Sequence, residues 1–142
     1  SSRPGREDPD GRLTMPTWGE IQEYARSKYK LAKDEEHWLS LVFAYDNERR
    51  QLVRVKHFKA FDQDWIEFAS ACCKNDEMSP AVALKKNNDY AVGGIALDGD
   101  VYVFKYTIPL TNLDIDEFEL PLHVVASTAY QIESQFAAQD KF

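Results

Sequence analysis

Residues 90–136 read YAVGGIALDGDVYVFKYTIPLTNLDIDEFELPLHVVASTAYQIESQF, and this stretch decides the fold. Two apolar runs, 91–97 and 101–108, flank Asp98-Gly99-Asp100. Gly at such a reversal supplies the positive φ that a tight hairpin needs. Asp114 stands three residues before Glu117, the spacing of a capping box at a helix start. Phe118, Leu122, Val125, Ala129, Ile132 and Phe136 follow at gaps of three or four, one apolar stripe of a helix. Pro121 falls inside that pattern, where it deletes a backbone hydrogen bond and crowds the preceding turn. The helix is therefore expected to kink or break near Glu119, or to start at Pro121. A hairpin followed by an amphipathic helix leaves the helix stripe in need of a sheet, and the hairpin is the nearest.

Upstream the sequence reads as the rest of that sheet. Thr17 and Glu20 form a second capping box, and Trp18, Ile21, Tyr24, Ala25 and Tyr29 share a helical face ending near Lys30. The acidic run 34–36 reads as a solvated turn. Three strand patterns follow, at 38–45, 51–61 and 65–73, with Leu39, Leu41, Phe43 and Tyr45 on one face of the first. In the second, Val53, Val55 and His57 alternate with Leu52, Arg54, Lys56 and Phe58. The turns fall at Asp46-Asn47-Glu48-Arg49 and Asp62-Gln63-Asp64, and links this short favour antiparallel neighbours. Ser79 caps a short helix with Pro80 at its first position, and Ala81, Val82 and Leu84 supply a small apolar contact. The expected fold is α+β: a two-layer domain with an antiparallel five-stranded sheet, helices on one face, and the order α-β-β-β-α-β-β-α. Residues 1–14 have Pro, Gly and charges without apolar rhythm and read as a leader or an appended segment. Residues 15–142 read as one domain.

The chain has 142 residues, long enough for a single core, and its 44% hydrophobic content places it among globular chains rather than disordered ones. Its net charge of −7 and pI near 4.9 argue against nucleic acid and against an anionic membrane surface, both of which select basic footprints. No apolar run is long enough for a membrane span, and no signal-peptide pattern opens the sequence. The two cysteines, Cys72 and Cys73, are adjacent and cannot staple distant segments, so a reduced, cytoplasmic chain is expected.

Catalytic signatures are absent from the pattern. His37, His57 and His123 share no metal-binding spacing, and no H-E-x-x-H or C-x-x-C occurs. Gly93-Gly94 lacks the Lys and Ser or Thr of a phosphate loop, and reads instead as allowing the close approach of a helix or a bulge in the strand. No catalytic, cofactor-binding or metal-ligating residues are therefore expected. Cys72 and Cys73 alternate to opposite faces of a strand. A thiol beside His57 would supply an alternative reading, a thiol-dependent enzyme or redox sensor.

The second face of the sheet carries the functional reading. The last strand is apolar on both sides, Val101 and Val103 against Tyr102, Phe104, Tyr106 and Ile108. The first strand adds Val42 and Ala44 beside Ser40. A sheet open to water shows cleaner alternation, so part of this face, or a sheet edge, is a candidate for meeting another chain. Val42, Trp65, Tyr102, Phe104 and Tyr106 are the candidate partner-binding residues. Purely structural self-association is a further alternative.

The stretch AVGGIALDGDVYVFKYTIPL followed by DIDEFELPLHVVASTAYQIE, with MSPAVALKKNN and WIEFASACC before it, resembles the YbjN-like domains of the type III secretion chaperone-like fold. The likeness runs from about residue 18 to 136. It rests on the Gly-containing strand, Pro109-Leu110 and V-A-x-x-A at 125–129. Pro121 departs from the smooth helix of that pattern. The resemblance implies the same element order and a non-enzymatic, often dimeric, cytoplasmic protein-binding module. It would be chaperone-like or regulatory, with a protein partner and no cofactor. Bacterial sensory transduction or regulation is within that range.

Overall fold

The computed structural model describes residues 16–45 and 49–137, together with strand residues 6–7 and 13–14. Short strands β1 (Arg6–Glu7) and β2 (Leu13–Thr14) pair with each other, apart from the main sheet. The main elements are α1 (Trp18–Lys28), β3 (Lys33–Asp34), β4 (Trp38–Ala44), β5 (Arg50–Ala60), β6 (Gln63–Lys74), α2 (Pro80–Asn87), β7 (Gly94–Asp98), β8 (Val101–Pro109) and α3 (Glu119–Phe136). The sheet is antiparallel in the order β3-β4-β5-β6-β8-β7. It has six strands, not the expected five. The addition is β3, a two-residue edge strand in the stretch read as a solvated turn. Its Lys33 lies opposite Ser40.

Local chemistry explains the helix ends. Thr17 Oγ1 accepts from the Glu20 amide at 3.2 Å while the Glu20 carboxylate accepts from the Thr17 amide, so the box closes in both directions. Ser79 caps α2 through the Val82 amide, with Pro80 at its first turn. The expected start of α3 moves. Asp114 makes no side-chain cap and leads instead into a 3-10 turn, Ile115–Glu117. Helix α3 begins after it at Glu119, near the break expected from Pro121. Pro121 lies in the first turn, where a missing N–H has no intrahelical partner to lose.

Helix α3 lies across β5, β6 and β8. Leu122, Val125, Ala126, Ala129 and Ile132 are buried there with Val53, Val55, Ile66, Phe68, Tyr102 and Phe104 from the sheet. Helix α1 joins the same side. Trp18 stacks on His57 with ring centroids 5.7 Å apart, and Tyr24 meets Phe118 edge-on. Lys28 pairs with Glu119, tying α1 to the start of α3 and holding the Glu119 carboxyl below its ordinary value. Helix α2 buries Ala83, not the expected trio: Ala81, Val82 and Leu84 turn outward.

Three departures in the strands have physical causes. The turn between β5 and β6 is two residues, Phe61 and Asp62, both at positive φ (52° and 60°). That twist matches a tight hairpin but is one that a bulky side chain rarely adopts. In β6 the register shifts between Ala71 and Cys73. This bulge lets Cys72 and Cys73 both enter the core rather than opposite faces. The Ala71 carbonyl accepts from buried Gln51, whose amide nitrogen also donates to Ser70 Oγ at 2.7 Å. Gly93, at φ +74°, lies over the Phe104 ring, where an added Cβ would stand 2.7 Å from Phe104 Cζ. The close approach at Gly93 is to strand β8, through Phe104 and the Lys105 carbonyl, rather than to a helix as expected, and Gly94 starts β7. Of the expected Asp46–Arg49 turn, residues 46–48 lie outside the described residues, as does most of the 1–14 segment.

Candidate functional site

The helix-covered face consumes two of the five candidate residues. Tyr102 and Phe104 are core residues, Phe104 with 1% of its surface exposed. Tyr106 lies on the same side but half-buried, at the mouth of a groove it shares with Ile108, Leu113, Leu120 and Pro121. Val42 and Trp65 lie on the other side. Val42 is 46% exposed, and Trp65 is half-buried with its indole N–H donating to the Ala60 carbonyl at 2.8 Å. The five therefore do not converge on one surface.

What converges is the residue set of the sheet's second face. Strand alternation fixes its members: Val42 of β4, Leu52, Arg54, Lys56 and Phe58 of β5, Trp65, Glu67, Ala69 and Ala71 of β6, and Val103 and Lys105 of β8. Leu52 is 43% exposed. Between Leu52, Arg54, Ala69, Ala71, Asp98 and Val103 lies a depression of about 340 Å³. Its floor is made of small side chains on β6, so larger neighbours on β5 and β8 stand above it as rims. Lys105 Nζ pairs with Glu67 at 3.6 Å. Among the described residues, Arg54 and Lys56 make no ion pair; Lys56 instead sits 5.7 Å from the Phe58 ring centroid. Leu52, Arg54 and Lys56 were visible as the alternate set of their strand. The depression was not, because its shape depends on which neighbours are small.

The sheet edges differ from that face. At the β7 edge, the Asn87 amide bonds both backbone groups of Ile95, accepting from its N–H at 2.6 Å and donating to its carbonyl at 3.1 Å. One side chain thus occupies the place of a strand partner. Close by, Val82, Leu84 (69% exposed), Val92 and Leu97 present apolar surface on α2, the following loop and β7. The sequence signal for this patch was that Val82 and Leu84 straddle Ala83, so one helix face cannot bury all three.

The two thiols and His57 are held apart by the fold. Burial pushes the Cys72 thiol well up and Cys73 to about 11, so at neutral pH both are thiols, not the thiolates that reactive cysteines need. His57 lies opposite Ile66, well along β6 from Cys72; its Nε2 faces Asp64 Oδ1 at 2.8 Å. The geometry therefore does not assemble the thiol–imidazole pair of the alternative reading. Among the described residues, no group of three or more His, Cys, Asp or Glu side chains is placed to hold a metal ion. No helix among them is long and apolar enough to cross a membrane.

Solved structures share the fold. A chain of the HopA1–SchA chaperone–effector complex superposes with a TM-score of 0.59 at 12% identity, covering 80% of this chain and 90% of that one. A chain of the ExsC–ExsE complex does so with a TM-score of 0.56 at 16% identity, covering 84% and 92%. The chain thus shares its fold with a chain of each of these two complexes. No protein-family model matches the chain, and neither does any curated protein.

Proposed function

We propose that this chain is a non-enzymatic, cytoplasmic protein-binding module, chaperone-like or regulatory, that holds a partner segment against apolar surface. The observation that carries it is the helix-free face of the sheet. There Leu52 lines a depression floored by small side chains, and Val42 stands beside it on β4, both more than two-fifths exposed. An apolar face of this kind in an otherwise charged surface is the usual mark of an interaction site. The likeness to a chain of a chaperone–effector complex supports the same reading. Membership of the YbjN-like domains, within the type III secretion chaperone-like fold, is the family assignment we favour on the motifs of residues 90–136.

In this reading Val42 and Trp65 touch the partner and Tyr106 borders a second contact. Tyr102 and Phe104 act from beneath by holding β8 in place. The test is affinity capture from a lysate of the source organism, with parent and Val42→Glu chains side by side. A protein retained by the parent and lost by a variant of unchanged melting temperature supports the module. Equal retention by both removes this face from the account.

The exposed Val82, Leu84, Val92 and Leu97 favour, in addition, a homodimer joined along the α2–β7 edge. Light scattering of the parent should then give twice 16.3 kDa, and Leu84→Glu should give the monomer. A parent that scatters as a monomer at high concentration sinks the dimer.

A further inference from the structure

We propose that the occupant of the open sheet face is an acidic amphipathic helix of a partner protein. This rests on the protein-binding reading and names the chemistry of its partner.

The backbone of the face comes first. At the depression β6 and β8 pair as far as Ala71, and β5 and β6 as far as Arg54 and Ala69. Beyond that point the Leu52 carbonyl accepts from Ser70 Oγ and the Ala71 carbonyl from the Gln51 amide, so the ladder groups and these carbonyls are already bonded. A segment laid on this face loses water and gains no backbone partner in return, and an unpaired buried backbone group is costly. An extended segment would leave its own groups unsatisfied there. A helix satisfies them internally and offers a stripe of apolar side chains, as the three helices already do on the opposite face.

The charge follows from the side chains. Arg54 and Lys56 stand exposed on the face without ion-pair partners among the described residues, and Lys105 already answers Glu67. One cation without an ion-pair partner among the described residues, Arg54, therefore borders the apolar depression, and a second, Lys56, stands farther along the same strand face, on a chain whose net charge is −7. That overall charge opposes an acidic partner at distance, but salt screens it beyond about 8 Å at physiological ionic strength. At contact a carboxylate beside an exposed guanidinium is attracted within the screening length, and a neutral or basic side chain there is not. The local pairs therefore decide, and they choose Glu and Asp beside the apolar stripe. Asp98, at the far rim of the depression, disfavours a carboxylate at that end, which gives the helix a preferred direction.

The experiment is selection from a phage-displayed library of helical 18-residue peptides. Leu is fixed at positions i, i+3, i+4 and i+7, and Glu, Lys, Gln or Ser is encoded at the flanking positions. Selected peptides are then synthesised and titrated by fluorescence anisotropy. Glu should be enriched at the flanks. Arg54→Glu and Lys56→Glu should each weaken binding about tenfold, Leu52→Ser about as much, and Gln131→Glu, on the outer side of α3, not at all. All four sites are exposed, and circular dichroism checks that each variant is folded. Enrichment of Lys overturns the proposal. Loss of binding on Leu84→Glu but not on Arg54→Glu also overturns it, while leaving the chain a protein-binding module with its site on the α2–β7 edge. A library that yields no binder at all overturns the helical occupant, and the capture experiment then decides the wider reading alone.

Discussion

The two faces of this sheet are built from the same strands and the same alternation, yet they do opposite things. On β8, Tyr102 and Phe104 point to the helices and are sealed, while Val103 and Lys105 on the other side remain half-exposed. On β5, Val53 and Val55 are fully buried, while Leu52, next to Val53, is 43% exposed. Period-two patterning says that a strand has two sides and does not say which side a helix will cover. What decides is the rest of the chain. Helices α1, α2 and α3 share one layer, and the other layer is left without a partner among the described residues. One face stabilises the fold; the other is free to serve a second chain.

The sharpest way to break this contrast is to truncate one residue from each face. Phe104→Ala removes a ring from the sealed side and should cost about 3–5 kcal/mol in urea unfolding. A loss under about 1 kcal/mol would mean the helix layer is not the core. The dryness of the sealed side can be tested through its thiols. The unfolded chain ionises its cysteines near pH 8.5, whereas burial keeps both protonated to higher pH in the fold, Cys73 to about 11. Their contribution is therefore fully present below about pH 8.5 and is lost as pH rises. The loss is about 1.4 kcal/mol per pH unit for each thiol. A Cys72→Ala, Cys73→Ala chain should lack that alkaline slope. If its slope matches the parent's, the thiols are not sealed.

Gly93→Ala forces a Cβ against Phe104 at an unfavourable φ, so a loss of about 2 kcal/mol is expected. Gly94→Ala, at a neighbouring position with no contact closer than 3.5 Å, is the control, and equal losses would remove the close-approach explanation. Smallest is a gain. Phe61 holds φ +52° with 89% of its surface in water. Phe61→Asn should stabilise by about 1 kcal/mol, because Asn tolerates that conformation and little packing is lost. A destabilised Phe61→Asn chain would show that the ring packs on a part of the chain outside the described residues.

The contrast also explains what the sequence could reveal. The Thr17–Glu20 box, the Ser79 cap, the Gly99 turn and the α3 stripe are local signals, and each marks its element within a few residues. Asp114 and Glu117 had the right spacing for a cap, but Pro121 set the helix start downstream and left them in a 3-10 turn. The face assignments of Cys72 and Cys73 failed because strict alternation omits a bulge, and the Ala71–Cys73 shift depends on Gln51 from another strand. Strand β3 escaped notice because two charged residues carry no periodicity. For the candidate site, sequence could name an apolar second face. It could not tell Tyr102 and Phe104 from Val42, because that depends on which side α3 lies. Arg54 and Lys56 could be placed on that face from the alternation, but only the fold shows that neither has an ion-pair partner among the described residues.

The measurement that tests the two-face account most directly is a paired one on Leu52→Glu: its melting temperature, and its retention of the protein or peptide that the parent binds. The account predicts melting within about 2 °C of the parent together with binding reduced at least tenfold. A chain that melts as early as Phe104→Ala would place Leu52 in the core, and one that melts normally and still binds fully would show that the open face is not where the partner sits.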